Sequence, residues 1–350
     1  MPCYHPRIRI EDLKKWQTAQ DGHRYHPATI EQPNDLPNRL EQLKDNLQYR
    51  YQIIPCQNCI GCRLEYSRQW ATRGYLESKL WEQNWFVTIT YDDENLTTYE
   101  EITTKDGFTY SDQGWNGTLV PEELTQFIKN VRQIMKRDYN QDGIRFMAAG
   151  EYGSEGLRPH YHIIFFNLNL PQESFYDPHI KNGNTYWKNI IIDRAWGYKG
   201  IENISEATWN DIAYTARYIT KKINGPTSEH EYYSRGQEKE FFRVSRMPGI
   251  GEGYYKKHKE EIYRNDEVII KNAAGVVRMQ PPEYFDRLYE AENPEGFKKI
   301  KENRKKRAKN AAKIKDETTS IFRLDQLLIE ERDHEEKAVK LVREFEKASK

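Results

Sequence analysis

Two neighbouring apolar segments, 144–152 and 159–167, constrain the fold of this 350-residue chain more than any other feature. Each has the length and aromatic content of a β-strand. The turn between them contains Glu155-Gly156, a pair that suits a two-residue hairpin loop. We therefore predict an antiparallel hairpin. Because the position of the turn sets the register, it also fixes which residues of the two strands lie opposite each other.

The predicted hairpin places three metal-binding side chains on one face of the sheet. His160 and His162 are two residues apart on a strand, so both point to the same side, whereas Tyr161 points the other way, into a core. The predicted register sets Glu151 directly opposite His160 and diagonal to His162. Two imidazoles and one carboxylate with open coordination positions suit Mn²⁺ or Mg²⁺. A pair of surface histidines on a half-buried sheet is the alternative interpretation.

A second motif lies on a helix that we predict over residues 205–224. Tyr214 and Tyr218 are one turn apart, and a helical wheel places both nearly opposite the apolar stripe. They are expected to be exposed or to line a site, although tyrosines in helices more often pack in a core. Lys221 and Lys222 follow one turn later. A phenol has a pKa near ~10, so a nucleophilic tyrosine needs a nearby cation, and the lysines are candidates for that role or for holding phosphate.

Three of the four cysteines, Cys56, Cys59 and Cys62, are spaced three residues apart, which is poor spacing for a disulfide framework. This density of thiols is typical of a zinc site, and Cys3 would complete a set of four ligands. A reduced, packed cysteine turn fits the same pattern, since Cys3 is distant in sequence. Both interpretations stay open at this point.

The remaining segments predict an α+β fold. A strand is predicted at 85–91, and an amphipathic helix begins near Pro121, while 92–117 and 168–204 are expected to be irregular. Because the strands do not alternate strictly with helices, we predict a central antiparallel sheet with flanking helices. The predicted divisions are an N-terminal region with the cysteine cluster and a helix at 1–83, a core at 84–225, an extension at 226–296 and a charged helical tail at 297–350.

The charge of the chain is balanced overall but uneven locally. The 54 basic and 54 acidic residues cancel, so composition alone does not indicate a nucleic-acid-binding protein. The segment Lys298–Lys315, however, contains ten Lys or Arg residues and a single acid, Glu302. Such a run either contacts phosphates or forms a solvated charged helix. No apolar run approaches the ~20 residues that span a bilayer, and no signal peptide is visible, so we expect an intracellular protein without membrane contact.

Taken together, these motifs resemble the HUH endonuclease superfamily, and within it the rolling-circle replication initiators of gokushovirus-type microviruses. The resemblance covers most of the chain between residues 50 and 290. It rests on the strand 86–91, the motif His160-Tyr161-His162, the motif Tyr214-x-x-x-Tyr218-x-x-Lys221-Lys222, and the segments 55–63 and 245–251.

The resemblance implies a reaction and a set of partners. A tyrosine would attack the scissile phosphate of single-stranded origin DNA, leaving a 3′-OH primer and a 5′-phosphotyrosine, and a second tyrosine would permit a second cleavage. The expected partners are phage origin DNA, single-stranded or supercoiled, and the replicative helicase and polymerase of the bacterial host, in whose cytoplasm the protein would act. The candidate DNA contacts are Thr88, Thr90, Arg158, Lys305, Lys306 and Arg307.

Two other classes of protein fit part of this pattern. A mobilisation relaxase or a single-strand transposase shares the chemistry, and a non-catalytic DNA-binding module shares the fold. Both histidines, a suitably placed carboxylate and both tyrosines are present, which favours an enzyme. The tandem tyrosines and the flanking segments favour the replication initiator.

Overall fold

The computed structural model describes residues 3–33, 36–44, 46–111, 117–153, 156–181, 183–221, 228–272, 275–318 and 326–337. They form two compact units, residues 3–65 with 326–337 and residues 66–318. The helices are α1 (Leu36–Lys44), α2 (Ile60–Ser78), α3 (Pro121–Tyr139), α4 (Ile190–Trp196), α5 (Trp209–Lys221), α6 (Ser228–Tyr233), α7 (Glu252–Asn265), α8 (Glu283–Glu292) and α9 (Pro294–Thr318). Residues 326–337 are also helical. The strands are β1 (Arg7–Asp12), β2 (Gln17–Thr18), β3 (Arg24–Tyr25), β4 (Ala28–Glu31), β5 (Tyr49–Ile54), β6 (Asn84–Thr90), β7 (Glu101–Thr103), β8 (Thr109–Ser111), β9 (Arg145–Tyr152), β10 (Pro159–Phe166), β11 (Phe175–Lys181), β12 (Asn184–Asn189), β13 (Glu202–Glu206), β14 (Phe241–Val244), β15 (Val268–Asn272) and β16 (Gly275–Met279).

A seven-stranded sheet forms the centre of the larger unit. Its strand order is β11-β12-β13-β6-β10-β9-β14, and all neighbouring strands are antiparallel. The predicted hairpin is β9–β10, near one edge of this sheet. The structure thus confirms an α+β fold with a large antiparallel sheet and flanking helices. Within the described ranges, no helix is both long and apolar enough to cross a membrane.

Helices cover both faces of this sheet. On one face Ile163 and Phe165 of β10 belong to a buried cluster with the apolar stripe of α3. On the other face Ile164 and Phe166 pack with Ile212 of α5. Because both faces are covered, β10 is an almost continuous apolar run, and the histidines interrupt it only near its first residues.

The helix predicted over 205–224 begins later than expected. Ser205 lies in β13, which pairs with β6, and α5 begins at Trp209. A capping box sets this start, because Thr208 N donates to Asp211 Oδ2 at 2.8 Å and Asp211 N donates to Thr208 Oγ1 at 3.4 Å. The prediction was wrong at this end because the pairing of β13 with β6 is a long-range contact that local periodicity does not contain. Residues 222–224 lie outside the described residues.

Two segments that were expected to be irregular contain regular structure. Within 92–117, β7 and β8 form a small hairpin. Within 168–204, β11 and β12 extend the central sheet and lead into α4. Asn189 caps this helix, since its side-chain oxygen accepts hydrogen bonds from Ile191 N at 2.9 Å and Ile192 N at 3.3 Å. A register shift interrupts the pairing of β11 with β12. The alternation of apolar and polar residues along these strands is therefore too irregular to predict them from sequence.

The predicted divisions at 83/84 and 225/226 stay predictions, and the two compact units follow contacts in space. The division falls between Glu65 and Tyr66, within α2. β14 belongs to the segment predicted as an extension, yet it pairs with β9 as the edge strand of the central sheet. Helix α9 covers the first part of the charged tail, whereas 326–337 belongs to the unit that contains the N-terminus. Composition marks changes along the chain, but these units are made by contacts between distant segments.

The smaller unit has a three-stranded antiparallel sheet in the order β4-β1-β5. Ile8 and Ile10 of β1 are buried against Leu43 of α1. A second small cluster surrounds the cysteines. The interior of this unit is therefore small.

Glu202, a buried carboxyl at the start of β13, is expected to make the stability of the fold depend on pH. Burial raises the pKa of this carboxyl to about 8 in spite of the hydrogen bond donated by Asn189 N at 2.6 Å, and the charge of Asp193 adds to the rise. The folded-state pKa lies above the unfolded value of ~4.3, so the stabilisation is complete below pH ~4 and is lost as the pH rises towards 8. The melting temperature should therefore fall by about 5 °C or more between pH ~5 and pH ~8.

The matched variant is Glu202→Gln, which cannot ionise. Other groups also titrate in this range, so the informative quantity is the difference in melting temperature between wild type and variant at each pH. This difference should shift in favour of Glu202→Gln as the pH rises. Parallel pH profiles for the two proteins would show that Glu202 does not titrate between its unfolded pKa and pH 8.

Candidate metal centre

Glu151, His160 and His162 converge on one face of the β9–β10 hairpin. His160 pairs directly with Glu151, which is the register expected from the turn. Glu151 Oε1 lies 2.8 Å from His160 Nε2 and 2.8 Å from His162 Nε2. One ligand atom from each residue lies within 4.8 Å of the other two. These three side chains, called the triad below, are therefore close enough to share one ion.

The second nitrogen of each imidazole has a partner that orients the ring. His160 Nδ1 is 3.0 Å from the carbonyl oxygen of Arg158, to which it donates. His162 Nδ1 is 2.9 Å from Thr88 Oγ1. Such partners fix the orientation and tautomer of metal-binding histidines, and here they direct both Nε2 atoms towards Glu151. Two Nε2 atoms and a carboxylate oxygen at one point are a donor set that fits a divalent cation.

The centre is buried on one side and accessible on the other. Glu151 is 3% exposed and His162 is 6% exposed, whereas the side chain of His160 is 20% exposed. Burial alone would raise the pKa of the Glu151 carboxyl, but the hydrogen bonds and charges of the two imidazoles lower it to about 2. Glu151 is therefore ionised at neutral pH, and a buried carboxylate requires a positive partner such as an imidazolium or a cation.

Tyr214 of α5 lines this centre. Its ring centroid lies 5.2 Å from that of His162 and 6.4 Å from that of Phe86, both edge-on. The helical wheel predicted that Tyr214 faces away from the core, and this is wrong, because Tyr214 packs at the border of the cluster that contains Ile212. Its ring is long enough to reach the strands from the flank of the helix. Tyr214 is half-buried beside His162, and its part in a reaction stays a prediction.

The other residues of the tyrosine motif are described in part. Tyr218 and Lys221 contribute their backbone to α5, and their side chains lie outside the description. Lys222 lies outside the described residues. The roles of these three residues therefore stay predictions.

The second tyrosine of the motif, Tyr218, follows Tyr214 along α5. Just before the helix, Ala207 N donates to Asn84 O at 2.9 Å, at the end of β6 that is remote from the triad. By Tyr214 the helix has reached His162. One further turn advances ~5.4 Å along the axis. The backbone at Tyr218 therefore lies about one helical turn beyond Tyr214.

Two residues of β6 support the centre in ways that the sequence analysis missed. Thr88, predicted as a DNA contact, lies beside His162 as its hydrogen-bond partner. The ring of Phe86 stacks on His162, with centroids 5.6 Å apart and an interplanar angle of 18°. Both residues lie on the same face of β6, two positions apart. The alternation of side chains along β6 predicts that Phe86 and Thr88 share a face. Only the pairing of β6 with β10 shows that both reach His162.

The other predicted DNA contacts lie at the end of β6 and on α9. The Arg158 guanidinium donates to the carbonyl oxygen of Tyr91 at 2.7 Å and pairs with Asp93 at 2.7 Å, so it also anchors the chain after β6. Thr90 Oγ1 donates to the carbonyl oxygen of Pro159 at 3.3 Å. The α9 candidates are exposed, and they are Lys305, Lys306 and Arg307.

The fold also assembles the predicted cysteine set in the smaller unit. One sulfur each from Cys3, Cys56, Cys59 and Cys62 lies within 4.8 Å of the others. All four are present as thiols without disulfide bonds. The sequence separation of Cys3 from the other three is therefore no obstacle to a common site.

Comparison with known proteins identifies the family. Residues 84–223, which contain the triad and α5, match the family described as Replication-associated protein ORF2/G2P. Replication-associated protein ORF2 of Spiroplasma virus 4 is 36% identical over 313 residues, covering 88% of this chain and 87% of the relative. The chain belongs to this family of phage replication-associated proteins.

Further relatives of this replication-associated protein come from other bacteriophages. Replication-associated protein VP4 of Bdellovibrio phage phiMH2K is 28% identical over 266 residues, which is 75% of each chain. Replication-associated protein ORF4 of Chlamydia phage 1 is 23% identical over 241 residues, covering 67% of this chain and 53% of the relative. The resemblance to gokushovirus-type microviruses is thereby confirmed. No solved structure matches the chain.

Proposed function

We propose that this replication-associated protein initiates rolling-circle replication by nicking single-stranded origin DNA with a tyrosine. The observation that carries the proposal is the convergence of the buried Glu151–His160–His162 triad with Tyr214 from α5, whose ring is 5.2 Å from that of His162. A two-imidazole, one-carboxylate site beside a helix that bears tyrosines combines a phosphate-activating centre with nucleophiles. The membership in a family of phage replication proteins supports the same reaction.

The proposed reaction is a transesterification. The phenolic oxygen attacks the scissile phosphorus, the bond from phosphorus to the 3′ oxygen breaks, and the products are a 5′-phosphotyrosine and a 3′-OH end. The phenol loses its proton and the departing 3′ oxygen gains one. Because one phosphodiester replaces another, a later attack by a 3′-OH can rejoin the strand without ATP. Tyr218, one turn from Tyr214, provides a second nucleophile for release of a circular genome.

Glu151, His160 and His162 would hold the divalent cation, Mg²⁺ or Mn²⁺. A cation bound there would polarise a phosphoryl oxygen and stabilise the charge that develops on it. The Glu151 carboxylate supplies the negative charge, and the carbonyl oxygen of Arg158 and the hydroxyl of Thr88 keep the imidazoles oriented. The partly exposed edge of His160 is where the DNA phosphate would approach.

The remaining predicted residues have supporting roles in this proposal. Lys221 and Lys222 would lower the pKa of a phenol or hold the phosphate. The candidates at the end of β6 and on α9 would contact the DNA backbone. The host replicative helicase and polymerase would extend the 3′-OH in the bacterial cytoplasm. The four cysteines, in the other unit, take no part in this chemistry and would bind a structural ion.

The direct test is formation of a covalent protein–DNA adduct. Labelled oligonucleotides that tile the viral strand of the encoding phage are incubated with the full chain and Mn²⁺, and the products are separated on a denaturing gel. We expect one oligonucleotide to give an adduct and a 3′-OH fragment, and excess EDTA to suppress both. A full tiling set that binds protein but gives no adduct with Mn²⁺ or Mg²⁺ would favour a non-catalytic DNA-binding module.

Thr88→Val is expected to weaken metal binding about 10–100-fold, as does loss of other hydrogen-bond partners of metal-bound histidines. Valine keeps the shape of threonine but cannot hydrogen-bond to His162 Nδ1, which lies 2.9 Å from the hydroxyl. The affinity for Mn²⁺ is measured by calorimetry. Thr88→Ser should restore it, and Thr90→Val, whose hydroxyl contacts a backbone carbonyl, is the matched control. Equal affinities in Thr88→Val and Thr90→Val would remove Thr88 from the centre.

A further inference from the structure

Four cysteine sulfurs in the smaller unit surround one point. Cys56 Sγ lies 3.9 Å from Cys62 Sγ, and Cys59 Sγ lies 4.0 Å from Cys3 Sγ. A tetrahedral zinc ion with zinc–sulfur bonds of ~2.3 Å holds its sulfurs ~3.8 Å apart, whereas a disulfide needs ~2.05 Å. The observed spacing therefore corresponds to four ligands around one ion and not to two disulfides.

Backbone N–H groups are directed at these sulfurs. Cys56 N donates to Cys3 Sγ at 3.1 Å, and Tyr4 N donates to Cys59 Sγ at 3.4 Å. Within the Cys-x-x-Cys turn, Cys59 N and Asn58 N both donate to Cys56 Sγ, at 3.3 and 3.4 Å. Hydrogen bonds are stronger when the acceptor is ionised. These donors therefore favour thiolates, the form in which cysteine binds a metal.

The N-terminus of α2 also favours the thiolate form of these cysteines. The helix begins at Ile60, directly after Cys59, and Cys62 lies in its first turn. The N-terminus of a helix carries partial positive charge, which stabilises nearby thiolates. The negative charge that four thiolates bring to a bound ion would thus be partly balanced by this helix end.

The smaller unit has few other features to stabilise it. Its sheet core consists of Ile8, Ile10 and Leu43 with a few partly buried neighbours, and Ile53 on β5 is 49% exposed. Small units with so small a core usually need disulfides or a bound metal. The cysteines of this chain form no disulfide, which leaves the sulfur cluster as the site where a metal would supply that stability.

The sulfur cluster also joins segments from both ends of the chain. Next to Cys3, Tyr4 Oη lies 2.5 Å from His334 Nδ1, and His5 Nε2 lies 2.9 Å from Glu331 Oε1. Leu327 packs against the same cluster. An ion that fixes Cys3 to α2 would therefore also hold the 326–337 helix in place.

We propose that Cys3, Cys56, Cys59 and Cys62 bind one structural zinc ion that ties the N-terminal segment and the 326–337 helix to the start of α2. Four thiolates select zinc over Mg²⁺ or Mn²⁺, which prefer oxygen ligands. An iron–sulfur cluster also uses four cysteines, but each of them binds a different iron of a four-iron cluster, which spreads the sulfurs wider than around one ion. This site is separate from the proposed catalytic centre and does not depend on its activity.

The test measures zinc, iron and acid-labile sulfide in the full chain by elemental and chemical analysis. The wild type and the His160→Ala/His162→Ala variant should each contain about one zinc per chain and no sulfide, which separates this site from the triad. Cys59→Ser and Cys62→Ser should lose nearly all of the zinc. In Cys62→His a nitrogen replaces one sulfur, so this variant should keep the metal.

Two further measurements keep the test decisive if a serine variant fails to fold. Cobalt-substituted wild type should show thiolate-to-cobalt charge transfer, and Cys62→His should show a weaker, shifted band. Removal of zinc from wild type by a chelator should open residues 3–65 and 326–337 to a protease while 145–166 stays protected. Metal-free wild type from zinc-supplemented cells, full zinc in Cys59→Ser, or iron with sulfide would each overturn the proposal.

Discussion

Replacing His162 by alanine is expected to lower the nicking rate by about 10³-fold or more while DNA binding persists. A bound cation contributes several kcal/mol to the stabilisation of phosphoryl charge, and each ~1.4 kcal/mol corresponds to a factor of ten in rate. His162 is a buried member of the triad, with Nε2 2.8 Å from Glu151 Oε1, so its loss removes one of the three proposed ligands. His160→Ala should behave in the same way. Initial rates are measured on the labelled origin oligonucleotide with excess Mn²⁺.

Loss of activity has to be separated from loss of the fold. His162 packs between Phe86 and Tyr214, so alanine removes buried contacts as well as a ligand. His179 on β11 is exposed, and His179→Ala is the matched control for the same chemical change away from the centre. Melting temperature and DNA affinity by fluorescence anisotropy are measured for all variants. Wild-type nicking by His162→Ala in Mn²⁺ would exclude the triad from the reaction.

Glu151→Gln provides a graded comparison within the same experiment. An amide oxygen still coordinates weakly, so the rate should fall less than in either histidine variant. The substitution also removes a buried carboxylate whose pKa the imidazoles lower to about 2. A smaller effect of Glu151→Gln than of His162→Ala would therefore indicate that ligand geometry matters more than the charge of the site.

The sequence predicts the part of this site that depends on contacts between residues near in sequence. A two-residue turn at Glu155-Gly156, as the sequence predicts, implies one register, and the pairing of His160 with Glu151 is the pairing of that register. Glu155 itself lies outside the described residues. The helix that begins at Pro121 was equally predictable, because the residues of its apolar stripe, such as Leu124 and Phe127, are buried as their 3.6-residue spacing requires. Both features follow from contacts between residues that are near in sequence.

Long-range pairing accounts for what the sequence did not show. β14 joins β9 across about 90 residues of chain, and nothing local to 241–244 indicates that partner. Thr88 and Phe86 support His162 only because β6 lies beside β10. The orientation of Tyr214 was missed because a wheel records the helix alone, whereas the burial of a flanking side chain depends on the surface that the helix packs against. These contacts between distant segments complete the candidate site.

The two tyrosines are expected to act in a fixed order. The ring of Tyr214 packs edge-on against His162, the buried histidine. The backbone of Tyr218 follows one turn later on α5. Lys221 and Lys222 follow Tyr218 by three and four residues, and a nearby cation lowers the pKa of a phenol. We therefore expect Tyr218 to be the first nucleophile.

The double variant Tyr214→Phe/Tyr218→Phe is therefore expected to bind origin DNA nearly as well as wild type and to form no covalent adduct. Phenylalanine keeps the ring that packs on His162 and removes only the hydroxyl, so nucleophilicity is tested without loss of packing. Tyr214→Phe should retain the first cleavage, and Tyr218→Phe should lose it. Tyr186→Phe, on β12 and away from the centre, is the matched control.

Formation of a circular product tests which tyrosine makes the second cleavage. After the first cleavage one tyrosine is occupied by DNA, so release of a closed unit strand requires the other hydroxyl. Tyr214→Phe should therefore accumulate adduct without circles, whereas wild type and Tyr186→Phe form both. Adduct and circles are resolved on denaturing gels with a substrate that carries two copies of the origin. An adduct in the double variant would place the nucleophile outside α5 and leave this helix with a role in DNA binding only. If the single variant Tyr218→Phe makes the first cleavage and Tyr214→Phe does not, the order of the two tyrosines is reversed.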